Sequence, residues 1–141
     1  MTDFSNVFLI SDMDGTLINS KSQISTINKY ALNEFTKAGG TFAVATGRTL
    51  HSCKQYIPEL PINAPSIFYN GTILQDTNNN VVLKTLSLQT KILFNFLKQC
   101  LIHCPNTCIE LHTKDTFTLS LKKNLMTLLS NVKIYLISEV I

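Results

Sequence analysis

With 141 residues the chain has room for one ordinary domain, or for one domain and part of another. Apolar residues make up 45%, which excludes a disordered tail, while charged residues make up only 15%, well below the roughly one quarter of an average domain. The net charge of +3 is spread thinly, its only basic pair being Lys122-Lys123, so neither a nucleic-acid partner nor a membrane-surface role is expected.

Near the start, Asn6 to Ser11 is a short apolar run that stops at Asp12 and reads as a buried strand. Its apolar stretch, Val7 to Ile10, is too short for a signal peptide or a membrane span. The expectation is a cytoplasmic protein with its four cysteines reduced. From about Ser22 to Ala38, Ile24, Ile27, Ala31, Phe35 and Ala38 recur at helical spacing, and Gly39-Gly40 supplies a stop. A second apolar run, Thr41 to Ala45, ends at Thr46-Gly47-Arg48. A short helix from Thr49 to Tyr56 follows, and Ser66 to Tyr69 is a third strand ended by Asn70-Gly71. Unalternating strands separated by amphipathic helices predict a parallel sheet covered on both faces. Ligands in such sheets bind beyond the carboxyl ends of the strands, here Asp12, Thr46 and Asn70.

The texture changes after Thr72. Thr72–Gln75 and Val81–Leu83 flank a polar turn and read as a hairpin. A helix from Leu88 to Leu101 is expected, then a second hairpin (Cys108–His112 with Thr116–Leu119), a helix from Leu121 to Leu129 and a strand from Val132 to Ile137. A boundary near 84–88 divides residues 1–85 from 86–141. Cys100, Cys104 and Cys108, with His103 and His112 nearby, raise the question of zinc. Pro105 interrupts any helix that would align them, and no C-x-x-C pair exists, so small buried hydrophobes are the preferred reading.

Asp12-Met13-Asp14-Gly15-Thr16 carries the chemistry. Two carboxylates at i and i+2, leaving a strand, can point into one site, and Gly15 permits a tight turn. One could attack a phosphoryl group while the other shuttles a proton, with a divalent cation offsetting the charge. A polar strand-end turn explains the same residues. Thr46-Gly47-Arg48 closes a strand and opens a helix, so a hydroxyl, a backbone N–H and a guanidinium would meet at a helix N-terminus, a phosphate-binding arrangement. The two features at the ends of consecutive strands favour the chemical reading.

At this point the chain resembles the haloacid dehalogenase-like (HAD) phosphohydrolases, specifically the Cof-type branch with its type IIB cap. The resemblance rests on DMDGTL at 12–17, ATGR at 45–48 and YNG at 69–71. It implies an α/β fold, a Rossmann-type parallel sheet with helices on both faces, of which residues 1–85 would be the N-terminal half and 86–141 part of an α+β cap. It implies a magnesium-dependent hydrolase of small phosphoesters resembling sugar phosphates. Asp12 would be the nucleophile and Asp14 the general acid/base. Asp12 and the carbonyl of Asp14 would hold the Mg, and Thr46 and Gly47 the phosphoryl group. Arg48 and Asn70 match the pattern in position, with substrate-binding and structural roles both open.

The family also carries a later lysine and a G-D-x-x-N-D-like motif. After Asp76 the only acids are Glu110, Asp115 and Glu139, none in such a pattern. The expectation is therefore a chain truncated inside the cap, with its nucleophile and half a metal cage. A strand at Val7–Ile10 without its further neighbours would expose an apolar edge, so the isolated chain is expected to be poorly soluble, oligomeric or partly unfolded. Two other readings stay open: a catalytically incomplete remnant that binds Mg and phosphate, and a phosphoacceptor signalling module.

Overall fold

In the computed structural model, residues 2–104, 109–112 and 118–121 are described. The chain divides into two units between Thr85 and Leu86. The first unit begins with strand β1 (Phe8–Ser11), helix α1 (Thr26–Lys37) and strand β2 (Thr41–Val44). β1 and β2 are parallel, with Phe8 opposite Thr41 and Ser11 opposite Val44. A short helix, α2 (Leu50–Cys53), and a 3₁₀ turn (Ile57–Glu59) lead to β3 (Ser66–Phe68), which joins β2 through a parallel bridge from Ala45 to Ile67. β3 then pairs antiparallel with β4 (Ile73–Asp76), and β4 with β5 (Val81–Thr85). The parallel part is thus three strands deep, and a meander extends it.

β2 is the centre of this unit. Phe42, Ala43 and Val44 are all buried, as an unalternating strand covered on both faces requires. Side chains help to satisfy its far edge: Asn63 Oδ1 accepts from the Phe42 N–H at 2.7 Å and Ser66 Oγ from the Val44 N–H at 3.1 Å. Met13, Leu17, Ile24, Leu32, Tyr56, Phe68 and Ile73 are among the other residues of the core.

Three local readings change. β1 is not buried: Val7 to Ile10 are 39–55% exposed, because β2 is its sole pairing partner among the described residues. α1 starts at Thr26, not Ser22, because the Ser25 hydroxyl accepts from the Asn28 N–H and caps the helix there. Its expected inward stripe is also displaced, with Ile27 79% exposed and Leu32 buried instead. Ala31 and Leu32 face Leu9 and Ile10 across an open groove beside β1. α1 ends where Gly39 adopts φ +92°, and the Gly40 N–H donates to the Phe35 carbonyl at 3.0 Å.

The second unit contains helix α3 (Thr90–His103) and the antiparallel pair β6 (Ile109–His112) and β7 (Thr118–Leu121). Leu93 and Leu97 are buried, whereas Ile92, Phe96 and Ile102 are exposed. Leu121 ends a strand, not the start of a helix. Cys108, Thr116 and Phe117, the rest of the expected helix to Leu129 and the strand Val132–Ile137 lie outside the described residues. Among the described residues no helix is long and apolar enough to cross a membrane.

Candidate active site

The first loop of the site follows β1. Met13 is fully buried, with the Cys53 thiol 3.6 Å from its sulfur, so its neighbours Asp12 and Asp14 face outward. The turn closes as the Ile18 N–H donates to the Met13 carbonyl at 2.7 Å and the Gly15 N–H to the Ile18 carbonyl at 3.1 Å. Gly15 sits at φ +70°, where a side chain would be strained.

The second loop follows β2. Thr46 is buried, its N–H donates to the Ile67 carbonyl at 3.0 Å, and its Oγ1 accepts from the Arg48 N–H at 3.1 Å. The third loop follows β3, and it bends through left-handed backbone at Tyr69 (φ 54°), Asn70 (φ 50°) and Gly71 (φ 95°). Two hydrogen bonds tie this bend to the second loop: the Tyr69 N–H donates to the Arg48 carbonyl and the Asn70 N–H to the Thr46 carbonyl, each at 3.2 Å. Left-handed tyrosine and asparagine are costly and persist only where such ties hold them.

Asp12, Asp14, Thr46, Gly47 and Asn70 line one cleft of about 490 Å³, together with Ala45, Ile67 and Gly71. Five of the six expected site residues therefore meet. Arg48 is the sixth, and it turns to Asp14: Nε donates to Oδ2 and Nη2 to Oδ1, both at 2.7 Å. Its guanidinium carbon also lies 5.2 Å from the centre of the Tyr56 ring. This hydrogen-bonded pairing holds the Asp14 carboxyl below the usual carboxylate range and raises Arg48 in turn. An ionised carboxylate so held is a weaker base than a free one, so Asp14 takes up a proton, and has one to donate, only when the pair loosens.

The expected helix N-terminus at Thr46-Gly47 is not found. α2 has only four residues and starts at Leu50, because the Thr49 hydroxyl caps it by accepting from the Ser52 N–H at 3.1 Å. Any phosphate grip at Thr46 and Gly47 must come from the hydroxyl and the loop backbone. The Arg48–Asp14 pair was not legible in the sequence, since the partners stand 34 positions apart, nor was Tyr56, which only the packing around α2 brings against the guanidinium.

For a cation, the Asp12 carboxylate and the Asp14 carbonyl are oxygen donors of the kind magnesium takes, and that ion keeps several waters. Among the described residues no three His, Cys, Asp or Glu side chains converge.

A family model described as haloacid dehalogenase-like hydrolase matches residues 9–135. The chain is similar to the 5-amino-6-(5-phospho-D-ribitylamino)uracil phosphatase YcsE of Bacillus subtilis, 37% identical over 75 residues, which cover 53% of this chain and 30% of that protein. Its fold matches a phosphatase of the haloalkanoate (HAD) superfamily from Bacteroides thetaiotaomicron with a TM-score of 0.72 at 18% identity, covering 84% of this chain and 42% of the other. A haloacid dehalogenase-like hydrolase of B. subtilis matches at 28% identity and a TM-score of 0.61, covering 72% of this chain and 35% of that one. The chain thus spans less than half the length of each of these relatives.

Proposed function

Because the chain belongs to the haloacid dehalogenase-like hydrolases, of the Cof type, we propose that it carries the nucleophile half of a phosphatase site acting on small organic phosphomonoesters. One observation supports this most: two carboxylates at the end of β1 and a Thr-Gly turn at the end of its parallel neighbour line the same cleft. In this reading an Asp12 oxygen attacks phosphorus, the ester P–O bond breaks, and the leaving oxygen takes a proton from Asp14, which carries it once one of the two Arg48 hydrogen bonds has given way. Water then attacks the aspartyl-phosphate, giving its proton to Asp14, and the Asp12–phosphorus bond breaks to release inorganic phosphate. The Thr46 hydroxyl and Gly47 amide hold the phosphoryl oxygens, and Asn70 borders them. Magnesium, held by the Asp12 carboxylate and the Asp14 carbonyl, would supply charge neutralisation at the phosphoryl group. The phosphorylated ribityl group in the name of the B. subtilis relative fits the expected sugar-phosphate class.

A second reading, binding of magnesium and phosphate without turnover, is favoured by the lack of a third converging acid among the described residues. Phosphate release from p-nitrophenyl phosphate and from a set of sugar phosphates, with Mg, separates the two. On the first reading Asp12→Asn abolishes release and Asp14→Asn lowers it by about 10²–10⁴-fold. Release that survives Asp12→Asn overturns the nucleophile assignment. No release, with inorganic phosphate still bound, supports the second reading.

A further inference from the structure

We propose that Arg48 is a positioning residue that acts through Asp14, and is not a ligand of the phosphoryl group; this rests on the proton-transfer role given to Asp14 above. A guanidinium grips carboxylate or phosphate with a planar fork of two N–H groups. In this protein one such fork, Nε and Nη2, is already spent on the two Asp14 oxygens at 2.7 Å each. The plane is braced by the buried Tyr56 ring, 5.2 Å from the guanidinium carbon.

The main chain of Arg48 is tied at both ends, its N–H to the Thr46 hydroxyl and its carbonyl to the Tyr69 N–H. The wall of the cleft includes Asp14 but, among the described residues, not Arg48. Asp14 needs such a hold. Its side chain is 56% exposed and follows no regular element, so its turn alone does not select one orientation. The bidentate grip does select one, in a way that the point charge of a lysine cannot. Tyr56 sets Arg48, and Arg48 sets the carboxylate.

The test uses Arg48→Ala, Arg48→Lys, Asp14→Asn and the Asp14→Asn/Arg48→Ala double variant. Arg48→Ala should lower kcat by about 10- to 100-fold. It should leave KM and competitive inhibition by inorganic phosphate within about twofold of the parent. Arg48→Lys should fall between the two, and Arg48→Ala should cost nothing more once Asp14 is Asn. Losses that multiply in the double variant, or tenfold weaker inhibition by phosphate in Arg48→Ala, would overturn the proposal.

A second measurement needs no turnover. In ¹⁵N-labelled protein the Arg48 Nε–H resonance should move when Asp14 becomes Asn. It should stay in place when millimolar inorganic phosphate shifts the Thr46 and Gly47 amides. An Nε–H that follows phosphate and ignores Asp14→Asn refutes the assignment. Thr46 and Gly47 amides unmoved by phosphate would instead sink the phosphatase reading, while the response to Asp14→Asn still decides the partner of Arg48.

Discussion

Replacing Gly47 with alanine asks whether the second and third loops are packed as tightly as their hydrogen bonds imply. A Cβ at position 47 would stand 2.8 Å from Asn70 Oδ1, 3.2 Å from Nδ2 and 3.3 Å from Cγ. Ordinary contact begins near 3.4 Å, so the amide must retreat by about 0.6 Å. Its backbone is poorly placed to help, being held at φ 50°, ψ 39° with its N–H on the Thr46 carbonyl. Overpacking of this kind costs about 1–3 kcal/mol in closed cores, and the open cleft beside Asn70 puts this case near the lower end.

Gly47 itself needs no left-handed backbone. Without the clash, alanine there would stabilise by about 0.4–1 kcal/mol through the unfolded chain. The two effects can be separated with Asn70→Gly, a residue that tolerates φ 50° and removes the obstructing amide. Urea unfolding of the four proteins should show Gly47→Ala neutral or destabilising with Asn70 present and stabilising with Gly at 70. The coupling should be about 1 kcal/mol. An effect of Gly47→Ala that is equal in both backgrounds, to within about 0.3 kcal/mol, would refute the packing argument.

Two other tests probe the core and the open edge. Burial pushes the Cys53 thiol up to about 11 from an ordinary 9.0. Below pH 9 both states keep the proton and this contribution is intact. Between pH 9 and 11 the unfolded chain releases it while the folded chain does not, so stability falls as pH rises, by up to about 1.4 kcal/mol per pH unit. Cys53→Ala should flatten that slope in denaturant titrations across the window, and an unchanged slope counts against the burial. At the β1 edge, Phe8 is 55% exposed, so Phe8→Lys should reduce self-association in sedimentation velocity while changing stability by no more than about 0.5 kcal/mol. Wild-type chain that is already monomeric, with one sharp cooperative thermal transition, would overturn the edge argument.

Short-range features were legible in the sequence alone. The buried run Phe42-Ala43-Val44, the Gly39-Gly40 stop and the Asp12-x-Asp14-Gly15 turn each depend on neighbours within a few positions. Backbone sterics and hydrophobic spacing act at that range. The order of the strand ends also placed Asp12, Thr46 and Asn70 together, because parallel strands bring their carboxyl ends to one side. Tertiary structure decided the rest. Phe8 and Ile27 look like core in one dimension, yet both are exposed, since burial depends on which layers stand beside a residue. Two hydroxyl caps, at Ser25 and Thr49, moved the helix starts away from the apolar pattern. Above all, the sequence placed Arg48 at a phosphate loop, and the fold turned it to Asp14, 34 positions earlier. A guanidinium binds the anion that packing brings within reach, and that distance is set by how β1 and β2 lie side by side.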